Sequence, residues 1–139
     1  MECILPAATL PVLTEAHLIR SAQAAIAEHR LGIQRGATEP LFVDEDGAVC
    51  AIGAALSVSV LEAILMNGDE RLTWLALVRA GYFTHANLRT VEALASLQLG
   101  YDACFLDGRL DGERVRRFCA YVSSLDPNDP PPLWPSELA

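Results

Sequence analysis

The sequence predicts an α+β fold: a helix-dominated single domain of about five helices with one small β-hairpin, spanning all 139 residues. Three observations carry this. Apolar residues recur at helical spacing over most of the chain. Capping residues and glycines punctuate those stretches at the right places. One run, residues 41–50, sets short β-rich triplets around an Asp-Gly turn. A hydrophobic content of 52% is enough for such a chain to bury a core.

Residues 2–13 are apolar and broken by Pro6 and Pro11, which predicts an extended segment lying against the body. Thr14 is a good N-cap for a helix from Glu15 to Leu31, with Leu18, Ile19, Ala22, Ile26 and His29 on one face and Gly32 closing it. Leu41-Phe42-Val43 and Ala48-Val49-Cys50 flank Asp44-Glu45-Asp46-Gly47, a hairpin signal. Ala51 to Met66 is apolar on nearly every side, which predicts a central helix stopped by Asn67-Gly68, and Gly53-Ala54-Ala55 allows a close neighbour. Asp69 is the expected cap of a short helix through Ala80, ended by Gly81. The next helix is expected from His85 or Ala86 to Phe105, with Val91, Leu94, Leu97, Tyr101 and Cys104 inward and Gly100 at a kink or a close packing contact. Asp111 caps the last helix, to Leu125. Five prolines in residues 126–139 make a proline-rich C-terminal tail, which Leu133 and Trp134 are expected to pin to the body.

Charge narrows the function. The chain has 18 acidic and 10 basic residues, net -8, which argues against direct nucleic-acid binding through phosphates. No apolar run reaches the roughly 18 residues of a membrane span. The start of the chain lacks the basic flank of a secretory signal, so a cytoplasmic location is expected. There is no lysine, a coding bias of bacteria or their phages. Cys3, Cys50, Cys104 and Cys119 lack paired metal-ligand spacing, and neither aspartate-rich turn has the closing glutamate of a calcium loop, so no metal or cofactor is expected. Phosphate-loop, dinucleotide, zinc-protease and nucleophile-elbow motifs are missing.

The string Gly47-Ala48-Val49-Cys50-Ala51-Ile52-Gly53-Ala54-Ala55-Leu56 resembles the Cys-Ala-x-Gly-Ala segment of small uncharacterised bacterial and phage proteins, in which one helix precedes it and more follow. The resemblance implies a helical domain of bacterial or phage origin and brings no catalytic residue.

Two functional expectations come from the residues themselves. Residues 1–70 hold ten acids and three arginines, against eight and seven in residues 71–139. Glu39, Asp44, Glu45 and Asp46 form the densest acidic group, and such a ridge steers a basic partner. The expected function is a non-enzymatic protein-binding module, in one version a phage-type inhibitor that blocks a basic, nucleic-acid-binding site on its partner. Arg109, Arg114, Arg116 and Arg117 make a secondary interface, with a homodimer as a further possibility. The alternative is a cysteine-dependent enzyme. Cys50 at a helix N-terminus would be the nucleophile and His85 or His17 the base.

Overall fold

Helix α1 (Glu15–Ala27) starts where Thr14 accepts the His17 N–H in its side chain, and its buried face is Leu18, Ile19, Ala22 and Ala25. The computed structural model describes residues 10–129. Helix α1 ends earlier than its sequence suggests, because His29 takes the left-handed conformation at φ 54° and turns the chain. That leaves His29 exposed rather than on the buried face. Gly32 opens a 3-10 turn instead of closing the helix. A Cβ there would lie 2.9 Å from the Tyr101 hydroxyl, so the glycine admits a neighbour.

The 41–50 hairpin reduces to a single antiparallel bridge, Val43 to Val49, with Cys50 N–H donating to the Phe42 carbonyl. Ala51 to Met66 is not one helix. Gly53–Ala55 form a 3-10 turn, the chain extends at Leu56, and Ser57 caps a separate helix α2 (Val58–Met66). The physical reason is local. A Cβ at position 53 would stand 2.4 Å from the Phe42 carbonyl oxygen, so the backbone crosses itself there and cannot run as one rod. Helix α2 is therefore peripheral, with Val58 and Met66 exposed. Asn67-Gly68 do stop it, Gly68 at φ 72°.

Helix α3 (Trp74–Arg79) is capped by Thr73, not Asp69, whose carboxylate accepts the Tyr82 hydroxyl at 2.6 Å. Gly81 ends α3 at φ 92°. Strand β1 (Val12–Leu13) pairs in parallel with β2 (Thr84–His85), Val12 opposite Thr84. Asn87 then caps α4 (Leu88–Asp102). The true two-stranded hairpin follows: β3 (Phe105–Leu106) and β4 (Arg109–Leu110) pair antiparallel across Asp107-Gly108, both at positive φ, the turn an Asp-Gly pair favours. Asp111 caps α5 (Gly112–Ser123) as expected.

The result is a helix-dominated α+β domain, with about 51% of the described residues helical. Helix α1 packs against the 53–55 turn, α4 and α5. Gln23 fastens α1 to the end of α5 by donating to the Val122 and Leu125 carbonyls at 3.1 and 2.9 Å. The core joins Leu18, Leu31, Ile52, Phe83, Leu94, Leu97 and Phe118, all nearly or fully inaccessible to solvent. Among the described residues no helix is long and apolar enough to cross a membrane. Residues 126–129 make a tight turn with an Asp126 to Asp129 bridge, and the rest of the tail, with Leu133 and Trp134, lies outside the described residues.

Candidate functional site

The 41–50 turn, the Asp69–Thr73 connection and the C-terminal half of α4 converge on one side of the molecule. Three adjoining hollows lie there. The first, about 300 Å³, is bordered by Asp44, Glu45, Asp46, Glu70 and Arg71. The second, about 260 Å³, is bordered by Arg35, Glu39, Asp44, Asp46 and the Tyr101 edge. The third, about 90 Å³, is lined by Phe42, Cys50, Ile52, Leu97, Gln98 and Asp102, with Arg71 at its rim.

The structure divides the four acidic residues singled out by sequence. Glu39 is engaged by its own chain. Arg71 grips it with a two-bond fork, Nε to Oε1 at 2.8 Å and Nη2 to Oε2 at 2.9 Å. The fork holds the Glu39 carboxyl below the usual glutamate range. Asp44 works as a turn residue, its Oδ1 accepting the Asp46 and Ala48 N–H groups at 2.9 Å each. Glu45 and Asp46 are exposed at the tip. Sequence reasoning missed Glu70. Its side chain is only 19% exposed, one oxygen lies 3.8 Å from Arg71 Nη1, and the other is buried without a hydrogen-bond partner. Five carboxylates thus border the two acidic hollows against two guanidinium groups, Arg35 and Arg71.

Three of the four arginines of the expected secondary interface have partners in their own chain, and Arg116 and Arg117 remain exposed on the surface of α5. Arg114 donates to the Ala103 carbonyl at 3.1 Å, and Arg116 and Arg117 both pair with Glu113 on the same helix. Arg109 stands exposed on β4.

Cys50 does not have the surroundings of a nucleophile. It precedes a 3-10 turn rather than opening α2, and it is 7% exposed. Its Sγ accepts the Gly53 N–H at 3.2 Å, but burial outweighs that bond and pushes the thiol up to about 12. A thiolate needs the opposite balance. The two candidate histidines lie elsewhere: His17 Nε2 donates to the Ala55 carbonyl at 2.9 Å, and His85 meets the Trp74 ring edge-on at 6.4 Å with its Nδ1 buried and without a hydrogen-bond partner. Neither lines the Cys50 hollow. Burial also raises Cys104 and Cys119.

Asp102 is the second residue the sequence reading passed over. It is the last residue of α4, where the helix dipole disfavours an anion. Desolvation beside the small hollow pushes its carboxyl up to about 6, against the opposing hydrogen bond from Gln98. An acid in the final turn of a helix is a signal visible in the sequence. Its cavity is not. Among the described residues no group of three or more His, Cys, Asp or Glu is arranged to hold a metal ion. Compared with protein-family models, curated proteins and solved structures, the chain matches none.

Proposed function

We propose that the protein is a non-enzymatic binding module whose acidic face, centred on Glu45 and Asp46 with Glu70 behind them, receives a basic surface of a partner protein. The observation that carries this reading is the excess of carboxylates over guanidinium groups around two adjoining hollows, and the Glu70 oxygen buried with no hydrogen-bond partner adds to it. A carboxylate oxygen removed from water without a donor raises the free energy of the unbound face, and an incoming guanidinium or ammonium lowers it. The turn is also pre-ordered, because Asp44 fixes two of its backbone N–H groups, so little conformational entropy is lost when the tip is engaged. Glu39 contributes by taking the Nε and Nη2 of Arg71, which leaves Glu70 only the Nη1 at 3.8 Å. In the narrower version the partner's basic surface is one that otherwise holds nucleic acid, and the module acts as its inhibitor.

The test is fluorescence anisotropy with a labelled arginine-rich peptide, titrated into the wild type and into a Glu45→Gln/Asp46→Asn double variant at several salt concentrations. The double variant should bind about 5- to 10-fold more weakly, with a shallower salt dependence. Equal affinity and equal salt dependence would overturn the proposal. Displacement of the protein from a nucleic-acid-binding partner by duplex DNA would support the narrower version.

A further inference from the structure

We infer that the small hollow beside α4 is a binding site for a primary alkylammonium, a short apolar stem ending in a cation. The hollow has walls of two kinds. Phe42, Ile52, Leu72 and Leu97 supply apolar surface, and Gln98 and Asp102 supply a polar end. Its size is about 90 Å³. A cavity of about 150 Å³ takes benzene, so this one takes roughly four non-hydrogen atoms, the scale of a propyl- or butylammonium.

The charge of the ligand follows from what surrounds Asp102. Gln98 is the side chain that hydrogen-bonds it among the described residues; Gln98 Oε1 accepts the Trp74 N–H at 2.9 Å, which leaves the NH₂ end for the carboxylate. Arg71 is the guanidinium that lines the hollow; Glu39 takes its Nε and Nη2, and its Nη1 lies 3.8 Å from Glu70. Cys50 and Tyr101, the other titratable groups on the wall, are neutral because burial raises both. Asp102, exposed as a residue with its carboxyl along the wall of the hollow, therefore carries an anion at the unfavourable end of a helix, with no ion-paired cation among the described residues. An ammonium in the hollow supplies that missing charge. A neutral alcohol of the same shape would leave it uncompensated, and an anion would be repelled. The inference uses residues other than Glu45, Asp46 and Glu70, so it stands whether or not the acidic turn binds a partner.

Two sources present this chemistry, a free small amine and the side chain of a lysine on another protein. The test is a two-dimensional amide NMR titration of the full chain with n-butylammonium, 1-butanol and N-acetyl-lysine methylamide. Butylammonium should saturate with a dissociation constant on the order of 1 mM, shifting residues 50–52 and 97–102. Butanol should bind about tenfold more weakly, as should butylammonium to Asp102→Asn. Tighter binding of the lysine compound than of butylammonium assigns the site to a protein side chain, and weaker binding assigns it to a free amine. Equal binding of butanol and butylammonium to the wild type would overturn the proposal without reference to any variant. So would shifts confined to residues 44–46, and that result would leave the acidic-turn reading intact.

Discussion

Replacing Asp102 with asparagine should make the protein more stable at neutral pH. The carboxyl sits between an unfolded value near 3.8 and a folded value of about 6, raised by desolvation beside the small hollow. That interval would correspond to roughly 3 kcal/mol for an enclosed group. Asp102 is exposed as a residue, with its carboxyl along the cavity wall, so water screens much of that figure and about 1 kcal/mol remains. Asparagine keeps an oxygen for the Gln98 amide and removes an anion from the end of a helix dipole. The pH dependence has a definite sign. Below 3.8 both folded and unfolded chains hold the proton, and the charge costs nothing. Between 3.8 and about 6 the folded chain holds it more tightly, so the wild type loses stability as pH rises, and the full cost is present above 6. Urea unfolding of both proteins at pH 7 and below pH 4 measures this. The variant should gain about 1 kcal/mol at pH 7, and the gain should vanish in acid. A variant no more stable at pH 7, or a gain that does not shrink in acid, would refute the account of Asp102.

Three other outcomes follow from close contacts elsewhere. Gly53→Ala places a methyl group 2.4 Å from the Phe42 carbonyl oxygen, a backbone atom that cannot swing away, and should lower unfolding stability by about 3 kcal/mol in urea titration. Cys50 should resist iodoacetamide at neutral pH in the native protein and react once urea unfolds it; site-resolved mass spectrometry showing native labelling as fast as a free cysteine would contradict its burial. Asp44→Ala removes the acceptor for two backbone N–H groups and should cost about 1 kcal/mol, with faster hydrogen exchange at the Asp46 and Ala48 amides as its signature.

Much of the helical framework was legible because its signals are local. Thr14 and Asp111 cap the first and last helices where their side chains reach the backbone, and Asn67-Gly68 and Gly81 stop helices by conformation alone. Local signals also misled. Asp-Gly occurs at 46–47, 107–108 and 111–112; the third opens α5, and the second builds the paired strands because its neighbours cross directly over a two-residue turn. The first has an Asp44 side chain that closes a wider loop on itself. The broken helix at 51–57 arises from the close crossing of Gly53 and Phe42, a tertiary fact that apolar content does not encode. In the acidic face, sequence proximity found Glu45 and Asp46 at the tip. It could not find Arg71, which neutralises Glu39 from 32 residues away, nor Glu70 beside it. Glu39, Glu70 and Asp102 take their surroundings from chain that is distant in sequence, the Asp69–Thr73 connection and the 40–52 segment.

The tie between Gln23 and the end of α5 has a consequence for how the chain is made. The carbonyls it grips belong to residues 99 and 102 positions further on. At about 5–20 residues per second, a ribosome leaves roughly 5–20 seconds between the emergence of α1 and that of its last partner. Throughout that interval Leu18, Ile19 and Ala22 have no finished core to enter. Nascent chains arrested before residue 122 should accordingly be captured by a hydrophobic-binding chaperone, and released ones should not.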